Sequence, residues 1–439
     1  MSQPFATHRE QLLASLAASD ACGVYFSGSE KLRNGDSTFR FRPESDFYYL
    51  TGCDEPDSCL VLSPHGDDRA VLFVRPKDRE AEIWNGKRVG VDAAPEVFGV
   101  DRAYPIAELE ARLPGLLVGH RAVEYGFGVD DARDRDMTSA AAAARRKGRA
   151  AGFVPEGWLH PRQNVHEQRL RKTPEEIERM RRAAAITAEA HLAVMAEAAP
   201  GGNEAELDAL LEYTFRRRGG TGAAYTNIVA GGAGACILHY IENNRELKAR
   251  ELLLIDAGAE WDFYASDVTR TFPIDGSFTP EQRALYEVVL TAQESAIDHI
   301  RPGVSFDSVH DVAVRRLTEG LVELGLIEGP VDRAIEEEAY RPYYMHRTGH
   351  WLGLDVHDAG AYTESGASRA LAPGMVLTVE PGLYVAEDAE VDARWRGIGI
   401  RIEDDVLVTE SGFDVLTAAT PKSIEAVEAA CQGAPALAR

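Results

Sequence analysis

The sequence lacks any apolar run approaching the roughly 20 residues that span a bilayer, and its opening Met-Ser-Gln-Pro-Phe-Ala-Thr-His-Arg-Glu has no apolar leader core. A cytoplasmic location is the expectation. Basic charge is in short supply: 47 lysines and arginines face 71 aspartates and glutamates, for a formal net charge of −24 at pH 7. A field of that sign repels phosphate backbones and anionic headgroups, so neither nucleic acid nor a membrane surface is an expected partner. Cysteine is scarce as well. The five (Cys22, Cys53, Cys59, Cys236 and Cys431) are odd in number and form no Cys-x-x-Cys pair, which argues against a disulfide framework or a thiolate metal site. A phosphate loop is also missing, because Gly231-Gly-Ala-Gly has neither the Gly-Lys-Ser/Thr ending nor the Gly-x-Gly-x-x-Gly spacing. It reads as a flexible loop before a strand that carries His239.

What is present is a globular composition, 45% apolar and 27% charged over 439 residues, enough for two or three domains. The first 160 or so residues alternate helical stretches with β-branched and aromatic runs at 22–26, 47–51, 60–63, 70–74 and 123–127, the pattern of an α/β domain. An Ala- and Arg-rich helix is expected over 137–149, and Gly152, Pro155, Gly157 and Pro161 mark a linker. Thr173-Pro-Glu-Glu is a capping box with proline at the first helical position, so a long helix should run from 174 to about 198. After Pro200-Gly-Gly, a stripe of Leu207, Leu210, Leu211 and Phe215 predicts a second helix over 204–217. Strands follow within 226–272. The same order then repeats, with helices over 280–299 and 308–324 and strands within 376–409. This doubling suggests pseudo-symmetric halves without a residue-level repeat.

The chemistry is concentrated in acidic residues set inside apolar strands. Leu252-Leu-Leu-Ile-Asp places Asp256 in one strand, and Asp267 follows eleven residues later. A hairpin turning at Trp261-Asp262 would set the two carboxylates directly opposite each other, with Cβ atoms about 4.5–5.5 Å apart. Carboxylates held that close repel, and a cation is the natural compensation. Glu380 ends the apolar run before Pro381-Gly382, and period-2 alternation puts Arg401 and Glu403 on the face opposite Ile400 and Ile402. Taken singly, each of these acids is more often a turn cap or a solvated edge residue. Together they are four acids in otherwise apolar strands, and carboxylates are rarely buried unless paired or metal-bound. His346, His350 and His357 fall within twelve residues, where Gly349 and Gly353 argue for a loop rather than a helical metal pair. Four carboxylates and an imidazole make a hard, oxygen-rich donor set that favours Mn²⁺, with Co²⁺, Fe²⁺ or Zn²⁺ as alternatives. Two such ions about 3.5–4 Å apart can share and acidify a water, as in two-metal hydrolases.

These strings resemble the Xaa-Pro aminopeptidase (aminopeptidase P) family: Ile255-Asp-Ala-Gly with Ser266-Asp-Val-Thr-Arg-Thr-Phe-Pro, Gly349-His-Trp-Leu-Gly-Leu-Asp-Val-His-Asp, Thr378-Val-Glu-Pro-Gly-Leu-Tyr and Gly397-Ile-Gly-Ile-Arg-Ile-Glu-Asp-Asp. The block from Gly35 to Gly52, the helix opening at Pro174 and Cys236-Ile-Leu-His-Tyr extend the resemblance over nearly the whole chain. It implies an α/β creatinase-like N-terminal domain over 1–165 and an α+β pita-bread catalytic domain over 166–439 with pseudo-twofold halves. It also implies Asp256, Asp267, His350, Glu380 and Glu403 as ligands of two divalent ions, usually Mn²⁺. His239, His346 and His357 match histidines around the family's metal site, and Arg401 matches its arginine beside the last ligand. Asp46 and Trp84 fall on N-terminal motifs that reach the active site in related tetramers. The implied reaction removes the first residue from peptides with proline second. A hydroxide between the metals attacks the scissile carbonyl, Glu380 shuttles the proton, and His357 with His239 steadies the carbonyl or oxyanion. A homo-oligomer, dimer or tetramer, is expected. The segment 363–368 departs from the family pattern. Prolidase, which takes only dipeptides, is the alternative within the fold. Methionine aminopeptidase would not need the N-terminal domain, and metal-free binding modules of this fold have lost the ligands.

Overall fold

The structure is a computed structural model that describes residues 4–147 and 153–433. The chain divides into two compact units, Met1–Arg169 and Leu170–Arg439. The first is built on six strands: β1 (Ala21–Phe26), β2 (Cys59–Leu62), β3 (Ala70–Val74), β4 (Arg102–Pro105), β5 (Ala122–Glu124) and β6 (Gly157–Leu159), in the spatial order β4-β3-β2-β1-β5-β6. The β1–β2 and β2–β3 pairs are antiparallel, and the β1–β5, β3–β4 and β5–β6 pairs are parallel. One face carries a core of Val24, Val61, Phe73, Leu113, Val123 and Met137.

Two expectations fail in this unit. Residues 47–51 are not a strand but part of a helix, Ser45–Thr51, which opens where the Glu44 side chain accepts from the Phe47 N–H and closes at Gly52 with φ +66°. Every residue of that helix is buried, so the aromatic run is apolar on all sides and has no period to read; the caps decide. The breaker residues around 155–161 are also not a linker, because Gly157–Leu159 pairs with β5 and they merely bound an edge strand. The expected 137–149 helix is observed as Asp131–Lys147; its last two residues and Gly152 lie outside the described residues.

The second unit opens with α1 (Pro174–Glu197) on the expected capping box: Glu176 N–H donates to Thr173 Oγ1 at 3.3 Å and Thr173 N–H to Glu176 Oε2 at 2.9 Å. It is followed by α2 (Glu204–Arg217). Then come β7 (Ile228–Gly231), β8 (Leu252–Asp256), the short hairpin β9 (Ala259–Trp261) and β10 (Tyr264–Ala265), and β11 (Thr269–Pro273), with β7-β8-β11 forming one antiparallel sheet. The order repeats with α3 (Pro280–His299), α4 (Phe306–Glu323), β12 (Val376–Val379), β13 (Gly382–Val385), β14 (Ile398–Arg401), β15 (Asp404–Val408) and β16 (Phe413–Val415). Here β12-β15-β16 is the second sheet, and β13 pairs with β14. One core joins Ile186, Leu207 and Phe215 to Ile255 and Phe272; another joins Leu285 and Leu317 to Leu383, Ile400 and Ile402. Each helix pair thus covers the strands that follow it, the doubled arrangement the sequence suggests. The Gly231–Gly234 run ends β7 and enters a 3₁₀ turn, Gly232–Cys236, so His239 is not on a strand. The 363–368 segment is a small exposed hairpin. No helix among the described residues is long and apolar enough to cross a membrane.

His191 joins α1 to the first sheet by donating from Nε2 to the Ala257 carbonyl at 3.0 Å, and it is fully buried. Burial holds its pKa down at about 4. The unfolded chain therefore binds the proton first as pH falls, so the contribution of His191 is complete above about 6.5 and is lost toward pH 4. A drop from 6.5 to about 4 is worth about 3 kcal/mol. Urea unfolding at pH 7, 5 and 4 should show wild type losing stability faster than His191→Gln, which keeps a donor and drops the titration; parallel losses would refute this.

Candidate active site

Asp256 is the last residue of β8 and pairs with Thr269, not with Asp267. The expected turn at Trp261-Asp262 is displaced by one residue: the β9–β10 hairpin turns on Asp262 and Phe263, at φ +50° and +64°. Such a two-residue turn needs positive φ, which aspartate tolerates, and Arg179 of α1 anchors it from Nε to Asp262 Oδ2 at 2.6 Å. Asp267 consequently lies in the short segment ahead of β11 rather than within a strand. The register differs from expectation by two residues, and a shift of two keeps a side chain on its face. Both carboxylates still meet, at the Tyr225 hydroxyl, which is 2.6 Å from Asp256 Oδ1 and 2.5 Å from Asp267 Oδ1. Glycine is required at 258, since a Cβ there would fall 1.7 Å from the Ser266 carbonyl oxygen.

The other two acids sit where the chain changes sheets. Glu380 lies between β12 and β13, and its N–H donates to the Thr348 carbonyl at 2.8 Å. Glu403 lies between β14 and β15; its N–H donates to the Thr269 carbonyl at 3.1 Å and its Oε2 accepts from Thr269 Oγ1 at 2.6 Å. Ile400 and Ile402 enter the core while Arg401 and Glu403 line a cavity of about 880 Å³, the division that alternation predicts. Arg401 is buried. It donates to Asp256 Oδ2 at 2.6 Å, to Thr269 Oγ1 at 3.1 Å and to the Tyr384 hydroxyl at 3.0 Å.

The loop carrying the histidines is not helical, as its glycines require. His350 Nδ1–H donates to the Trp351 carbonyl at 3.0 Å, which leaves Nε2 facing Asp267 Oδ2 at 3.5 Å and Glu380 Oε1 at 3.6 Å. A carbonyl can only accept, so the tautomer with a bare Nε2 is selected. His346 is committed at both nitrogens: Nδ1–H to the Arg347 carbonyl and Nε2 from the Tyr384 hydroxyl, each at 2.8 Å. Burial and Arg401 hold its pKa at about 4. His357 lies over the His350 ring at 4.0 Å between centroids, its pKa lowered by burial and by His350. His239 is an exposed residue on the cavity wall.

The donor set fits a cation. Burial pushes the Glu380 carboxyl up to about 7 even beside His350 and Arg401. Burial, then Asp267, Glu380 and Asp256, drive Glu403 far above the carboxylate range. Burial would lower the His350 pKa, but Asp267 and Glu380 lift it to about 9, so its Nε2 seeks a positive charge, proton or metal. Asp267, His350 and Glu403 each bring a ligand atom to within 4.8 Å of the others. Tyr225, Thr269 and Tyr384 are essential to this arrangement and were not singled out from sequence. Tyr225 lies outside every quoted motif, Thr269 and Tyr384 lie inside two of them as neighbours of the acids, and their partners lie between 17 and 134 residues away.

All residues lining the cavity belong to the second unit. Asp46 belongs to the first, where it is buried, with Oδ1 accepting from Arg169 at 2.7 Å and Oδ2 from His166 at 3.0 Å. Trp84 is 81% exposed on a short helix, Arg79–Asn85. Gly258→Ala should force the Ser266–Asp267 segment outward, costing at least about 1–3 kcal/mol as overpacking does and lowering bound metal. Denaturation and elemental analysis of that variant would check this; unchanged values in both would show that the close approach is not required.

Comparison with known proteins places this geometry in context. The model of metallopeptidase family M24 matches residues 178–410, and that of the aminopeptidase P N-terminal domain matches residues 5–124. The chain is 45% identical to the Xaa-Pro aminopeptidase of Escherichia coli over 97% of both chains, and 35% identical to human Xaa-Pro aminopeptidase 3 over 95% of this chain and 82% of that one. Among solved structures, aminopeptidase PepP of Pseudomonas aeruginosa superposes with a TM-score of 0.94 at 45% identity, covering 97% of each chain. Zn-substituted E. coli aminopeptidase P in complex with product gives 0.94 at 44%, covering 100% of this chain and 99% of that one. With an aminopeptidase P N-terminal domain joined to a pita-bread catalytic domain, the chain belongs to metallopeptidase family M24 and, within it, to the Xaa-Pro aminopeptidases.

Proposed function

We propose that the cavity binds two divalent ions, Mn²⁺ in the first place, on Asp256, Asp267, His350, Glu380 and Glu403, and releases the first residue of peptides whose second residue is proline. The observation that carries this reading is the convergence of four carboxylates and the bare His350 Nε2 on one cavity wall. The oxygen-rich donor set favours manganese among the candidate metals. The substrate class follows from relatives named Xaa-Pro aminopeptidase that match along nearly the whole chain, which favours peptides over the dipeptides of a prolidase. When bound, the ions supply Lewis acidity and lower the pKa of water.

The remaining steps fall to the protein. Glu380, its carboxyl near pH 7, takes a proton from the attacking water and returns it to the proline nitrogen, which bears no hydrogen of its own until the bond breaks. His357 is neutral at pH 7 and, with His239, donates to the scissile carbonyl as it gains charge. Arg401 offsets Asp256. His346, with both nitrogens engaged, positions Tyr384 and through it Arg401. Five free cysteines support a reducing, cytoplasmic setting. Exposed Ile83 and Trp84 support a homo-oligomer, dimer or tetramer, and Trp84 is assigned as a peptide contact of that unit.

Mn²⁺-loaded protein should cleave Ala-Pro-Ala much faster than Ala-Ala-Ala, and Asp267→Asn should lose both metal and activity. Equal rates on the two peptides, or full activity in metal-free protein, would defeat the reading. In His357→Ala, kcat should fall by about 10²–10³, the scale of a lost oxyanion donor, while both ions stay bound. Loss of metal or an unchanged kcat would reassign that histidine.

A further inference from the structure

The first unit carries a second constellation of ligand-type side chains, at one end of three adjacent strands. Asp20 immediately precedes β1, Ser63 and His65 follow β2, and His120 precedes β5. Because β2 runs antiparallel to β1 and β5 runs parallel to it, these three chain ends meet. One carboxylate oxygen of Asp20 and one ring nitrogen from each of His65 and His120 lie within 4.8 Å of one another. His65 Nε2 is 3.3 Å from Asp20 Oδ1, and the two imidazoles stack at 5.1 Å between centroids and 12° between planes. Two donors bound tetrahedrally at the 2.0–2.1 Å of zinc–nitrogen and zinc–oxygen bonds stand about 3.3 Å apart, the separation of His65 Nε2 and Asp20 Oδ1.

An unpartnered buried nitrogen of His120 supports a ligand rather than a closed network. Ser63 Oγ lies 2.9 Å from the His65 carbonyl and 3.0 Å from His120 Nε2, so it holds one edge of the His120 ring. The second ring nitrogen of His120 is Nδ1. That Nδ1 is buried and has no hydrogen-bond partner among the described residues, in a side chain only 2% exposed. Arg121 Nε, 3.2 Å from Asp20 Oδ2, steadies the carboxylate from its other oxygen.

We propose that Asp20, His65 and His120 form a metal site of their own in the first unit, taking one divalent transition-metal ion, zinc foremost, with a fourth position open to water. Two imidazoles and one carboxylate suit Zn²⁺, Ni²⁺ or Cu²⁺ and not Mg²⁺ or Ca²⁺. An ion there ties together the ends of β1, β2 and β5 and so stabilises this unit without entering the peptidase reaction.

Zn²⁺ titration of the full-length, Mn²⁺-loaded protein tests the proposal, with ions counted per chain by elemental analysis after desalting. Zinc exchange at the catalytic site is common to all variants, so the difference between variants is the readout. Wild type should bind one more zinc per chain than His65→Ala, a substitution at a half-exposed side chain that leaves Mn²⁺-dependent peptidase activity unchanged. Asp20→Asn should weaken the additional ion at least tenfold. Co²⁺ should give wild type a visible absorption band that His65→Ala lacks. Equal zinc stoichiometry and equal Co²⁺ spectra in wild type and His65→Ala would overturn it.

Discussion

Four carboxylates crowded onto one buried wall are the constraint around which the catalytic unit is organised. At 4 Å, two like charges cost about 4 kcal/mol at the effective dielectric of a protein near its surface, and burial withdraws the water that would screen them. The protein answers with a specific partner for each acid. Arg401 pairs with Asp256, His350 faces Asp267 and Glu380, and Thr269 donates to Glu403, while Tyr225 bridges the two aspartates. Even so, Glu380 and Glu403 keep raised pKa values, so the wall retains affinity for cations.

Such a wall must be rigid, and the doubled architecture supplies the rigidity. Asp256 and Asp267 come from the first half, and His350, Glu380 and Glu403 from the second, so the site lies along the seam between the halves. The seam is stitched at Thr269, which receives Glu403 N–H on its carbonyl, donates its hydroxyl to the Glu403 carboxylate and accepts from Arg401. The next residue, Arg270, is fully buried against Asp404, which Gln293 and Lys422 also bind. Removing one partner from a buried network of this kind leaves an uncompensated charge, so the seam holds as a unit or not at all.

The hydrogen bonds around the histidines turn that scaffold into chemistry. His350 and His346 differ little in sequence setting, four residues apart in one loop, yet their environments assign them opposite tasks. The Trp351 carbonyl takes the Nδ1 proton of His350 and leaves Nε2 bare toward the acids, whereas Tyr384 and the Arg347 carbonyl consume both nitrogens of His346. One can ligate and the other can only position.

The sequence by itself determined what is local. Helices beginning at Pro174, Glu204 and Pro280 were legible because their caps lie within four residues, and alternation in Gly399-Ile-Arg-Ile-Glu separated core from cavity because period 2 is a property of the strand alone. The acids and histidines of the site were legible as residue types in motifs. The tertiary structure decided everything that depends on partners far along the chain. Arg179 of α1 anchors the turn at Asp262-Phe263 and with it the Asp256–Thr269 register. Glu44 and Gly52 make 45–51 a helix although its aromatic residues read as a strand. Arg169 and His166, more than a hundred residues away, bury Asp46 as an internal ion pair. A single sequence records which groups are available; which of them meet is set by the packing of elements that are distant in the chain, and that packing leaves no period or spacing to read.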